Sequence, residues 1–152
     1  RIKRSIFIDQ NGIRFLTREE KDGFRRFQLL DEYLGHKQAE LGEWNAPIEK
    51  AGRDEVNARR VTNIGTFRAY VVEYLRANSH ITGGMTLLVR QLDPTAQGLP
   101  VEIYCFTNTT DWNEYEDIQS DIFDHMLAIL PEFGLRLFQA PSGLDLQRGL
   151  AA

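Results

Sequence analysis

Cysteine is almost missing from this chain of 152 residues: Cys105 stands alone, so no internal disulfide can staple the fold. A single thiol also suits a reducing compartment. Long apolar runs are missing as well. The longest strictly apolar stretch is Met126-Leu-Ala-Ile-Leu130, far short of the roughly 20 residues that cross a bilayer. There is no signal-peptide pattern, and the chain opens at Arg1 inside what reads as a strand, so it is taken as a piece of something longer. A global basic field is absent too. The net charge is −4 and the pI near 5.4, which argues against a nucleic-acid partner. The one local exception is the N-terminal segment through Arg26, where eight Lys or Arg face four Asp or Glu.

Catalytic constellations are lacking in the same way. His36, His80 and His125 have no metal-ligand spacing, and Asp121 with His125, four apart on one helix, reads as a surface or half-buried contact. Cys105 lies mid-strand among apolar neighbours with no Gly-rich elbow, the setting of a structural thiol. Gly83-Gly84 and the stretch Thr62 to Gly65 read as a turn and a helix cap, since neither carries a full phosphate-loop pattern. No enzyme, cofactor or metal is expected.

What is present is a regular alternation of strands and helices. Ile2 to Asp9 places Ile6 and Ile8 on one face and Phe7 on the other. Asn11-Gly12 marks a turn. Thr17-Arg-Glu-Glu20 is a capping-box pattern, and a helix is expected from Thr17 to about Leu34, with Phe24, Phe27, Leu30 and Leu34 as its stripe and Gly35 as its break. A second turn or helix with Ala39, Leu41 and Trp44 follows, and then a polar, mobile loop from Ala46 to Asn57. With Thr62 or Asn63 as cap, Ile64, Phe67, Tyr70, Val71, Tyr74 and Leu75 recur at helical spacing.

Met85 to Asp93 and Val101 to Thr107 read as strands joined by Asp93-Pro-Thr-Ala-Gln-Gly98, the chemistry of a tight reversal and therefore of an antiparallel hairpin. A long helix starts at Asp111, with Glu114 completing a second capping-box pattern. Trp112, Tyr115, Ile118, Ile122, Met126, Ile129 and Phe133 form its apolar stripe. Six acidic residues lie between Asp111 and Asp124, where the helix dipole favours them. Pro131 and Gly134 end the helix, and Leu135 to Gln139 alternates like a returning strand.

Setting aside an excursion over 17–58, the order is strand, helix, strand, strand, helix, strand. That is a ferredoxin-like split βαββαβ: an α+β fold with a four-stranded antiparallel sheet, two helices on one face, and a helical insertion between the first strand and first core helix. One domain is expected over 1–143, with 144–152 a disordered tail. If Leu87, Val89, Ile103 and Cys105 face the helices, then Leu88, Leu92, Tyr104 and Phe106 point away from them, an apolar second face that needs a cover. A packing or subunit interface answers that need. The alternative is a stand-alone module taking RNA or a small effector by stacking on Tyr104 and Phe106, which lacks the usual basic signature and shares its face with Glu102.

Several long runs carry a resemblance. Arg59-Arg-Val-Thr-Asn-Ile-Gly-Thr-Phe-Arg-Ala-Tyr70, Met85-Thr-Leu-Leu-Val-Arg-Gln-Leu92, Leu99-Pro-Val-Glu-Ile-Tyr-Cys-Phe-Thr-Asn-Thr109, Ile118-Gln-Ser-Asp-Ile-Phe-Asp-His125 and Glu132-Phe-Gly-Leu-Arg-Leu137 resemble the C-terminal cytoplasmic part of bacterial miniconductance mechanosensitive channels of the MscS (small-conductance) family. The resemblance implies a vestibule and assembly domain on the cytoplasmic side of the inner membrane. It implies identical subunits in a ring, usually heptameric, and release of ions and small solutes under hypo-osmotic shock. No gating residue is implied, because the family's gate lies in membrane helices. The excursion looks like the enlarged segment of the miniconductance subgroup, and no clear strand for a closing C-terminal barrel follows Pro141.

Overall fold

The computed structural model describes residues 1–52 and 54–151, so Arg53 of the expected loop and Ala152 of the expected tail lie outside the described residues. Three strands form one antiparallel sheet: β1 (Ile2–Ile8), β2 (Leu88–Gln91) and β3 (Leu99–Cys105), in the order β1-β3-β2. The central strand β3 pairs Ile2 with Cys105, Ile6 with Val101 and Ile8 with Leu99 on one side, and Val89 with Ile103 on the other. All eight of these side chains are buried, so the register of the sheet is fixed by its apolar face.

The hairpin expected between the two later strands is present. Thr95 and Gly98 close the turn with reciprocal backbone hydrogen bonds of 2.9 and 3.1 Å. Gly98 adopts φ +104°, and a Cβ there would lie 2.7 Å from the Ile8 carbonyl oxygen, so both backbone shape and proximity to β1 demand glycine.

Two helices cover the apolar face. In α3 (Asn63–Ala77) the expected stripe is met by buried Ile64, Phe67, Tyr70, Val71 and Leu75. In α4 (Trp112–Ile129) Ile118, Ile122 and Met126 are buried as expected, and so is Phe123. Trp112 departs from the expected stripe: it is 70% exposed at the first turn, where its ring neighbour is Tyr115 rather than the core. Asp111 caps α4 by accepting from the Glu114 amide at 2.9 Å. The reciprocal half of the capping box is replaced, since Glu114 accepts from the Thr109 hydroxyl and the Asp111 amide donates to that same hydroxyl.

The expected fourth strand, Leu135 to Gln139, does not form a strand. Beyond Gly134, which takes φ +67° and closes the 3₁₀ turn over Leu130–Phe133, the chain makes a single bridge between Leu137 and Ile8. The Asp9 and Phe138 amides donate across to Arg136 and Phe7 carbonyls at 2.8 and 2.9 Å. Only Leu135 is buried in this segment, and Arg136, Leu137 and Phe138 are exposed, so little burial supports a longer pairing.

The insertion differs most from expectation. The first helix, α1 (Arg18–Phe24), is short, and a 3₁₀ turn over Gln28–Leu30 precedes α2 (Asp31–Lys50). The break falls at 25–27, and Gly35, expected to stop a helix, lies inside one. The part of the expected loop up to Lys50 is also helical and includes Pro47. Thr17 and Glu20 form the expected capping box. Phe24 and Phe27 pack on Phe133, with ring centroids 5.0 and 5.8 Å away, which docks the insertion on the helix layer. Finally, Gly143–Ala151, expected as a frayed tail, forms a helix (α5) with no buried residue.

Asn63 ties these parts together. It is fully buried, and its side chain accepts from the Arg14 amide at 3.0 Å and donates to the Gly12 and Phe133 carbonyls at 2.8 and 3.1 Å. The cap of α3 is therefore Thr62, whose hydroxyl accepts from Gly65, and its neighbour joins α3 to the segment after β1 and to the 3₁₀ turn after α4.

Candidate functional site

Strand alternation sends every second residue of the sheet away from the helices. On that open face Tyr104 of β3 stands between Lys3 of β1 and Leu88 of β2. Its ring meets Phe106 edge-on at 5.5 Å, and the Arg1 guanidinium lies 5.9 Å from its centroid. Leu88 is 46% exposed, Met85 at the approach to β2 is exposed too, and Leu92, Tyr104 and Phe106 are half-buried. Of the four residues singled out from the sequence, Leu88 and Tyr104 are direct cross-strand neighbours and Phe106 touches Tyr104. Leu92 lies beyond the end of β2, its amide donating to the Pro100 carbonyl at 3.0 Å.

A charged pair divides this face. Arg90 and Glu102 are opposite each other in the register, and the Arg90 guanidinium donates to one Glu102 oxygen from Nε at 3.0 Å and from Nη2 at 2.8 Å. Glu102 is nearly buried while Arg90 stays open to water. The carboxylate is therefore already engaged, and the face reads as apolar patch, ion pair and flanking Phe7 rather than as a row of stacking platforms. Sequence reading placed Glu102 on this face and missed its partner. The reversal at Thr95–Gly98 does not reveal it: counting back from that bridge sets Arg90 against Ile103, and the two strands pair one residue off that register.

The residues that chemistry would use are occupied elsewhere. Cys105 is buried on the helix side of β3, and desolvation pushes its thiol up to about 11, away from the thiolate a nucleophile needs. His125 does not pair with Asp121. Its Nε2 lies 2.6 Å from the Tyr70 hydroxyl, and its ring stacks on Tyr74 at 4.3 Å and 5°, joining α3 to α4. Burial raises both tyrosine hydroxyls above their usual range. His36 sits on the surface 3.9 Å from Glu32. Among the described residues no three His, Cys, Asp or Glu side chains converge as a metal site, and no helix is long and apolar enough to cross a membrane.

The family model for the C-terminal part of the mechanosensitive ion channel MscS matches residues 57–137, just over half of the chain. The chain belongs to the MscS family of mechanosensitive channels. The MscS match runs from the entry of α3 through the hairpin and α4 to the bridge at Leu137, so it contains all four open-face residues. Nearly all of the insertion, with α1 and α2, falls outside it.

Proposed function

We propose that this chain is the vestibule and assembly part of a tension-gated channel that releases ions and small solutes on hypo-osmotic shock. Its parent would sit in the bacterial inner membrane, with this part on the cytoplasmic side. MscS-family domains form homo-oligomeric channels, and a ring of identical subunits, seven in number, is the assembly we infer. The observation that carries the reading is the placement of an apolar, uncovered sheet face inside the matched segment. Leu88, Leu92, Tyr104 and Phe106 form the subunit contact in this reading, with the Arg90–Glu102 pair at its margin. The ferredoxin-like arrangement belongs to the same proposal. It is supported by the strand order β1-β3-β2 and by the Leu137 bridge, which puts the return segment beside β1 on the sheet's outer edge.

The experiment is a patch-clamp recording from the parent protein with its membrane part. Tension-gated currents are expected, and Leu88→Asp with Tyr104→Asp should lower the yield of assembled channel on native gels. Silence up to lytic tension defeats the channel reading. Unchanged assembly in the double variant defeats the interface while leaving the channel standing.

A further inference from the structure

The later part of the basic excess near the N-terminus lies outside the sheet and its open face. Arg18, Lys21 and Arg25 recur at i, i+3 and i+7, which stacks three cations along one side of α1 and its C-cap. That side lines a cleft of about 810 Å³ between α1, α2 and the segment 58–61. Buried Leu16, Leu34 and Val61 form apolar parts of its wall, and Arg59 and Arg60 are also among its lining residues. Arg59 is held in place by Glu40 at 3.3 Å and by the Trp44 ring at 5.5 Å. The Arg60 guanidinium lies 4.1 Å from the centroid of Phe15, another lining residue.

Five cations thus line the cleft against two carboxylates, Asp22 and Glu49, in a chain whose net charge is −4. Among the described residues Arg18 and Lys21 form no ion pair, while Arg25 donates to Gln38 across the gap. Like charges gathered on one wall repel, and an anion placed between them removes that cost. A monovalent ion would leave most of the space empty, since clefts of roughly 300–1,000 Å³ suit small organic molecules. Guanidinium groups match phosphate oxygens geometrically, and an aromatic edge at Phe15 suits a planar ring.

We propose that this cleft binds a soluble polyphosphate of nucleotide size, with Arg18, Lys21, Arg25 and Arg59 on the phosphates. The site is separate from the open face and lies largely outside the matched segment, so it stands or falls independently of the assembly reading.

Isothermal titration of the 152-residue chain with ATP and with tripolyphosphate tests it. Both should bind at low salt, and both should weaken as ionic strength rises, because surface charge is screened over about 10 Å at 0.1 M. Arg18→Gln with Lys21→Gln should weaken binding about tenfold or more, with an unchanged circular dichroism spectrum, while Arg148→Gln on α5, which lines no part of the cleft, leaves it intact. No binding of either polyanion, undiminished binding in the double variant, or equal loss in Arg148→Gln overturns the proposal. Cosedimentation with phosphatidylglycerol vesicles without ATP binding also overturns it, by assigning the cations to a lipid surface.

Discussion

The helices α3 and α2 are built on opposite terms. In α3, 15 residues bury seven side chains, whereas α2 with 20 residues buries only Leu34. The first is held by packing against a sheet, and most helix stability in proteins comes from such a face. The second relies on local devices. Lys37 pairs with Glu40 at 3.3 Å, Glu40 reaches Arg59, and Asn45 exchanges two hydrogen bonds of 2.8 Å with the Arg59 backbone. Exposed ion pairs of this type are individually weak, so α2 and α3 should differ in how much each residue matters.

The sharpest way to break the contrast is to remove a packed side chain from α3. Phe67→Ala, at a position with no exposure, should cost about 3–5 kcal/mol in urea unfolding. A cost below about 1 kcal/mol would mean that α3 is not the core helix it looks to be. Asn63→Ala comes next. It strips partners from the Arg14 amide and from the Gly12 and Phe133 carbonyls, and should cost about 2–3 kcal/mol by the same measurement.

Gly35→Ala in α2 should move stability the other way, by about 0.5–1 kcal/mol, since a Cβ there meets nothing within 4 Å and the helix gains propensity. A loss instead would show that α2 is not helical at that point.

The smallest effect is electrostatic. The Arg14 guanidinium, bonding both Glu20 oxygens at 2.6 Å, together with the Thr17 amide, lowers the Glu20 carboxyl to about 2 from an ordinary 4.5. A depressed folded-state value means that the stability Glu20 confers is complete above about pH 4.5 and disappears as pH falls toward 2. Glu20→Gln should therefore be less stable than the parent at neutral pH, and the two should converge in acid. Parallel curves would remove the pair from the account.

The same contrast governs how much could be read from the sequence. The α3 and α4 stripes, the hairpin turn at Gly98 and the alternation that isolates Leu88, Tyr104 and Phe106 were legible, because burial imposes a period on the residues that undergo it. In the insertion the cap at Thr17 and Glu20, the apolar Phe24, Phe27, Leu30 and Leu34 and a helix around Ala39, Leu41 and Trp44 were legible. Its breaks were not. Gly35 and Pro47 are local breakers whose cost is a few kcal/mol at most, and α2 contains both, with no apolar stripe to announce it. Arg90 and Glu102 were each visible, but their pairing required the register.

By itself the sequence determined which side chains face the helices and where the chain turns, since a period of two or 3.6 residues and a glycine forced to φ +104° are properties of short stretches. Only the tertiary structure decided that Asn63 joins α3 to the segment after β1 and to the turn after α4, that His125 belongs to Tyr70 and Tyr74, and that the basic residues of α1 share a cleft with Arg59. Those contacts join positions 34 to 70 residues apart, and their geometry exists only once the core has brought the elements together.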